Sequence, residues 1–373
     1  MKFTPFRMER WQSTFENRVR FNLSESGVHP MTVSELLELA GQENGVHGLR
    51  LGYGQSNGSD ELRARIAALY PGAAEASVLV TVGGAEANFV AHWHLLEPGR
   101  PAAVMLPNYM QVPGMVENFG APLAPFHLRE ELGWQPDLEE LERVLEAGAS
   151  FILVTNPNNP TGAALSPEAH EGIIELADRF GAWILSDEVY QGAEVRGDPT
   201  PSFWGRYERV LVTNSLSKAY GLPGLRLGWI VGPPDLVQEL WGRTDYTTIS
   251  PSTLSDHLAT VALEPRTRER ILGRTRRIIR ENFDALREWM ESQAGLFTYR
   301  PPDAGAICYM RYRPGVNSSQ LAEKLRVEKD VLVVPGDHFG MDRYLRIGFG
   351  NPQAELMEAL ARVAEAFREV EGA

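Results

Sequence analysis

The sequence predicts an α/β protein with a mainly parallel sheet covered by helices, joined to a smaller α+β unit. Helical and strand signals alternate between about residues 33 and 262. The strands in that span are apolar without polar alternation, as strands are when helices cover both faces of a sheet. After Pro265 the pattern changes to one long charged helix, short strands and a final helix, an α+β order.

Thr32-Val33-Ser34-Glu35 reads as a capping box ahead of Leu36, Leu37 and Leu39. Residues 78–82 are a short apolar strand that runs into Gly83-Gly84-Ala85-Glu86, where a helix carrying Phe89, Val90 and Trp93 begins. Strands follow at 102–106, 151–155, 183–186, 210–213 and 227–231. Helices over 137–147 and 167–180 supply cover. Beyond Pro265 the signals give a helix over 266–291, strands near 306–312, 331–334 and 344–349, and a helix over 352–370. No internal repeat, low-complexity tract or flexible linker interrupts them.

The chain has 373 residues, 43% of them hydrophobic and 23% charged, an ordinary balance for a soluble globular protein with a large core. A net charge of -13 argues against nucleic acid and anionic membrane as main partners. The one cysteine, Cys308, cannot form an internal disulfide, and no cysteine or histidine spacing suggests a metal site. His92 and His94 are two apart and face different ways on their helix. The first sixteen residues lack an apolar signal segment, and no stretch approaches membrane-spanning length. The simplest location is the cytoplasm.

The stretch 214–229 holds the chemistry: Ser215 and Ser217 flank Lys218, glycines follow at 221, 224 and 228, and Arg226 lies just beyond. A lysine in packed backbone near a cation can have its ammonium form disfavoured and act as an amine nucleophile. Hydroxyls and a guanidinium fork suit a phosphate ester. Lysine plus phosphate cradle points to pyridoxal 5'-phosphate held as a Schiff base.

This stretch resembles the cofactor-lysine signature of the class I/II aminotransferases, the fold-type I pyridoxal-phosphate enzymes. The resemblance covers nearly the whole chain. It implies a large cofactor-binding domain over 33–262 with a mainly parallel seven-stranded sheet, and a small domain built from 1–32 and 263–373. It implies an amino acid and a 2-oxo acid as substrates, and Lys218 as the lysine that forms the Schiff base.

Other matches fall in order. Asp187, in Ser186-Asp187-Glu188-Val189-Tyr190 at a strand end, matches the carboxylate that keeps the pyridine nitrogen protonated. Tyr190 falls where relatives donate to the ring 3'-oxygen. Asn159, in Thr155-Asn156-Pro157-Asn158-Asn159-Pro160-Thr161-Gly162, matches the residue that bonds the same oxygen and borders the substrate. Gly84 and Ala85 open a helix whose free amides suit the phosphate, together with Ser215, Ser217 and Arg226. Tyr109, after Pro107-Asn108, matches the aromatic that stacks on the ring. Tyr53, in Gly52-Tyr53-Gly54, matches a tyrosine that reaches the partner subunit's cofactor, which implies a homodimer with shared active sites. Arg346, in Tyr344-Leu345-Arg346-Ile347-Gly348-Phe349, matches the arginine that holds the substrate's α-carboxylate.

Two stretches depart from the family. Relatives carry a glycine-rich segment over the substrate; here residues 23–27 read Leu-Ser-Glu-Ser-Gly, which puts Glu25 and Gly27 in that place. Dicarboxylate-specific members place an arginine near the stretch that here reads Asp245-Tyr246-Thr247-Thr248, and only Arg243 is close. Aspartate and glutamate therefore lose support as substrates. A Glu25 carboxylate over the substrate would favour a basic or polar side chain, or else it points to solvent or pairs with Arg18 or Arg20. The leading reading is an aminotransferase. The alternatives are β- or γ-elimination, replacement or cyclisation on the same cofactor, and a non-enzymatic regulator of the same fold, against which Lys218, Asp187 and Arg346 argue.

Overall fold

The computed structural model describes residues 3–42 and 46–371. The first strand, β1 (Phe21–Asn22), belongs to the small sheets. The large sheet contains β2 (Val78–Thr81), β3 (Ala102–Leu106), β4 (Leu123–Arg129), β5 (Gln135–Pro136), β6 (Phe151–Thr155), β7 (Trp183–Asp187), β8 (Val210–Ser215) and β9 (Gly228–Val231). Its order is β2-β9-β8-β7-β6-β3-β4-β5. The run β8-β7-β6-β3-β4 is parallel, and β9 is antiparallel to both its neighbours. The expected mainly parallel sheet of seven strands is there, with the two-residue β5 added antiparallel at one edge.

The absence of polar alternation has a simple cause: alternate residues enter two different apolar layers. Val80, Met105, Val154, Ile184 and Val212 join one layer, while Leu79, Val104, Leu153, Leu185 and Leu211 join the other. Before the sheet come α1 (Arg7–Phe15), α2 (Val33–Ala40) and α3 (Asp60–Ala67). The second layer is covered by α4 (Gly83–Leu95) and α5 (Gln111–Asn118), through Ala87, Val90, Val112 and Val116. On the first layer α6 (Leu138–Glu146) and α7 (Pro167–Phe180) contribute Leu141, Leu145 and Ile173. The capping box at α2 is formed as expected, with Thr32 Oγ1 accepting from the Glu35 amide at 3.1 Å.

The strand β4 is absent from the sequence reading. Its sequence includes Pro125, which argues against a central strand, and only Phe126 and Leu128 are buried. The period-two signal exists there but is two residues long.

After α8 (Pro234–Thr244) and α9 (Thr253–Ala262), α10 (Pro265–Ser292) leads to a four-stranded sheet of order β10-β11-β14-β13. These strands are β10 (Phe297–Tyr299), β11 (Ile307–Tyr312), β13 (Val334–Pro335) and β14 (Tyr344–Gly348). The short β12 (Val331–Leu332) pairs in parallel with β1, tying the N-terminal segment to the C-terminal part. Helices α11 (Ser318–Lys329) and α12 (Gln353–Glu371) complete this unit. Among the described residues no helix is long and apolar enough to cross a membrane.

Candidate active site

The parallel strands deliver side chains to one end of the large sheet, the end where open α/β sheets bind ligands. Asp187 closes β7, Thr155 closes β6 and Ser215 closes β8. Together they border a cavity of about 420 Å³. Lys218, Asp187, Tyr190, Tyr109, Asn159 and Arg346 line it. So do Gly84, Ala85, Ser215, Ser217, Arg226 and Glu25.

At one end, α4 begins at Gly83, whose φ of 79° suits glycine. A Cβ on Gly83 would lie 2.6 Å from Arg226 Nη2, so the guanidinium rests on the start of the helix. Gly84 packs beside the Ser215 side chain, and the Ser217 amide donates to Ser215 Oγ at 3.2 Å. A helix N-terminus, two hydroxyls and a guanidinium thus share one corner, a donor set for a phosphate dianion.

In the middle, Asp187 Oδ2 accepts from Asn88 Nδ2 at 2.9 Å, and Asn88 Oδ1 accepts from Thr213 Oγ1 at 2.7 Å. The Val189 amide donates to Asp187 Oδ1 at 3.2 Å. Burial pushes the Asp187 carboxyl up, only partly countered by these donors and by Lys218. A buried carboxylate so disposed calls for a cationic partner. Tyr109 borders the same space. Its amide donates to Asn108 Oδ1 at 2.7 Å, its ring meets Phe6 edge-on at 5.2 Å, and Thr155 Oγ1 also donates to Asn108 Oδ1, at 2.6 Å.

At the far end, Arg346 is 1% exposed and forms no ion pair among the described residues. Its Nη1 donates to Asn159 Oδ1 at 2.8 Å and its Nη2 to the Ser24 carbonyl, while Nε has no partner. A buried guanidinium without a carboxylate is costly, and an incoming carboxylate relieves that cost. Tyr190 donates from its hydroxyl to Ser26 Oγ at 2.9 Å.

Lys218 differs from the sequence expectation. Its ammonium is not disfavoured. Burial lowers its pKa, but the Glu25 carboxylate and Tyr190 outweigh burial, and the net shift is upward. Lys218 Nζ donates to Glu25 Oε1, which also accepts from the Ser26 amide at 2.8 Å. The Lys218 charge, against opposing burial, pulls the Glu25 carboxyl down to about 2. Glu25, its side chain still 41% exposed, therefore pairs with Lys218 at the cavity and not with Arg18 or Arg20; Arg20 instead pairs with Glu358 at 3.0 Å.

Two predicted residues lie elsewhere. Gly27 sits behind Lys218 rather than on the cavity wall; a Cβ there would lie 3.3 Å from the Ser217 carbonyl oxygen and 3.5 Å from Lys218 Cα. Tyr53 is 89% exposed and outside its own chain's cavity. The sequence reading also missed Asn88 and the whole contribution of α1: Met8, Glu9, Gln12 and Glu16 line the cavity. Glu9, Gln12 and Glu16 fall three and four residues apart, a one-face spacing that is legible only once the segment is known to be helical.

The family profile of class I and II aminotransferases matches residues 21–363. The chain belongs to that family and is a pyridoxal-phosphate-dependent enzyme. It is 34% identical over 369 residues to a capreomycidine synthase from Streptomyces vinaceus, covering 96% of this chain and 92% of that one. Among solved structures it resembles a PLP-dependent aminotransferase from Streptococcus suis, with a TM-score of 0.93, 32% identity and 99% of each chain covered. It also resembles the PLP-dependent cyclase OrfR, with a TM-score of 0.90 and 26% identity, covering 99% of this chain and 98% of that one. The residues present fit that cofactor: the helix start with its hydroxyls and guanidinium suits a phosphate, a buried strand-end acid suits a pyridine nitrogen, and a lysine amine lines the same cavity.

Proposed function

We propose that the protein is an aminotransferase that moves an amino group between an amino acid and a 2-oxo acid. The observation that carries this reading is the convergence of Lys218, Asp187 and Arg346 on one cavity. When bound, pyridoxal phosphate supplies an aldehyde for the amino group and a ring that withdraws electrons from the α-carbon. The amides of Gly84 and Ala85, the hydroxyls of Ser215 and Ser217, and Arg226 hold the phosphate. Asp187 keeps a proton on the pyridine nitrogen. Tyr109 lies against the ring, and Tyr190 and Asn159 bond its 3'-oxygen. Arg346 takes the substrate α-carboxylate through two parallel hydrogen bonds. Lys218 Nζ accepts the proton that leaves the α-carbon.

The same reading assigns residues 33–262 to a cofactor-binding domain, and 1–32 with 263–373 to a domain that brings Arg346 to the site. The exposure of Tyr53 supports a homodimer in which it reaches the partner's site.

A second reading has its own support in the synthase and cyclase relatives: elimination, replacement or cyclisation on the same cofactor. The two differ in stoichiometry. Holoenzyme is incubated with a panel of amino acids, with and without a 2-oxo acid. Transamination turns over only with the acceptor and yields one new amino acid for each donor consumed. Turnover without an acceptor, with release of ammonia, water or a cyclic product, overturns transamination in favour of the second reading.

A further inference from the structure

The cavity carries more negative charge than the family's common chemistry uses. Among the described residues, Glu9, Glu16, Glu25 and Asp187 line it, against Lys218, Arg226 and Arg346. Each cation has a use in the reading above: Arg226 for phosphate, Arg346 for the α-carboxylate, Lys218 for the cofactor. Asp187 is matched by the pyridine nitrogen. Glu9, Glu16 and Glu25 are left, and all three border the space beside Arg346 and Lys218.

These carboxylates are held in place. Gln12, between Glu9 and Glu16 on the same face of α1, donates from Nε2 to the Ser24 carbonyl at 2.7 Å. Trp11 Nε1 donates to the Val333 carbonyl at 2.9 Å, and Phe6 abuts Tyr109. The α1 helix is therefore held beside the cavity by contacts at its start and its middle. Glu16 keeps helical dihedrals at the end of α1, with φ -56° and ψ -30°. Its carboxyl is pushed up by burial, then by Glu25 and Glu9, and the Lys218 ammonium offsets them only in part. With its amine bound to the cofactor, Lys218 would no longer offer Glu25 the ammonium it now faces. The second sign of a missing ligand is Arg346 itself, buried at the same cavity with an unpartnered Nε. Arg346 thus awaits an anion, and the acids that share its cavity await a cation.

We propose that Glu9 and Glu16 of α1, with Glu25, select an amino acid whose side chain ends in a cation, a guanidinium or an ammonium. The proposal rests on the amino-acid reading above. The α-carboxylate goes to Arg346, and the distal cation meets the acidic wall. The same wall repels a second carboxylate, so aspartate and glutamate are rejected by charge.

The test titrates holoenzyme with arginine, lysine, citrulline, leucine and glutamate, and reads Kd from the change in cofactor absorbance. Citrulline keeps the length of arginine but has a neutral ureido end. Arginine or lysine is expected to bind at least about tenfold tighter than citrulline, the scale of one charge-assisted hydrogen bond. In Glu16→Gln and in Glu9→Gln/Glu16→Gln the arginine-to-citrulline ratio should collapse toward one, and Glu16→Asp should restore part of it. Equal Kd values for arginine and citrulline in wild type overturn the proposal and leave the amino-acid reading intact. So does a ratio that survives in the double variant while its melting temperature matches wild type. If no amino acid perturbs the cofactor band, both this proposal and the reading beneath it fall.

Discussion

At the residue scale, buried acids beside one another are set apart by their partners. Asp187 receives donors from Asn88 and Val189 and faces the cavity. Glu188, next in sequence, points the other way: Oε1 accepts from Ser202 Oγ and from the Phe203 amide, both at 3.0 Å, while Oε2 has no partner. Burial pushes its carboxyl up to about 7. The folded protein therefore keeps Glu188 protonated after the unfolded chain has ionised. Its contribution is full below the unfolded pKa and declines as pH rises toward about 7, by on the order of 3 kcal/mol. Glu188→Gln keeps the acceptor and removes the titration. Melting temperatures from pH 5 to 8 should show the variant gaining on wild type as pH rises to about 7, then running parallel. Parallel curves throughout would mean that Glu188 titrates normally.

At the element scale, the phosphate corner depends on how closely β9 approaches the start of α4. A Cβ on Gly228 would lie 2.5 Å from the Gly83 carbonyl carbon and 2.6 Å from the Gly84 nitrogen. These are backbone atoms, so no rotamer change can make room. Gly228→Ala should push α4 outward and move the Gly84 and Ala85 amides, whereas Gly224→Ala, with nothing within 4 Å of its Cβ, serves as the control. The expected result is cofactor affinity lowered by at least about tenfold in Gly228→Ala, the scale of one or two lost charge-assisted bonds. Equilibrium dialysis with pyridoxal phosphate measures it. Equal affinities in the two variants would show that the α4 terminus does not carry the phosphate.

At the scale of the whole molecule, the site is assembled from chain segments more than three hundred residues apart. Segment 23–28 brings Glu25 and Ser26 to Lys218 and Tyr190, and β14 with the residues after it holds that segment in place. The Gly348 amide donates to the Leu23 carbonyl at 2.7 Å, and the His29 amide to the Gly350 carbonyl at 2.7 Å. A Cβ on Gly348 would lie 1.9 Å from the Glu25 carbonyl oxygen. Gly348→Ala should therefore cost about 1–3 kcal/mol of stability, the usual scale for overpacking. It should also detach Glu25 from Lys218, although neither residue is substituted. A lower melting temperature together with a changed cofactor absorption band is the expected pair of results. An unperturbed band would show that the segment relaxes without moving Glu25.

What the sequence determined by itself is what local chemistry can encode. Six strands of the large sheet, the capping box at Thr32 and the cofactor loop around Lys218 were legible, because an apolar run or a short motif states its own environment. Asp187 was legible as a strand-end acid for the same reason. What only the tertiary structure decided lies in contacts between distant segments. The β4 strand hides behind Pro125 and a brief alternation, since its fit depends on β3 beside it. Lys218 is held as an ammonium by Glu25, 193 positions away, so the neighbouring Arg226 in its own motif gave the wrong sign. Glu25 was legible as an acid over the substrate, but Glu9 and Glu16 were not, because α1 is short, polar and charged. Its meaning comes from Gln12 and Trp11, which hold the segment with Met8, Glu9, Gln12 and Glu16 on a cavity built by the rest of the chain.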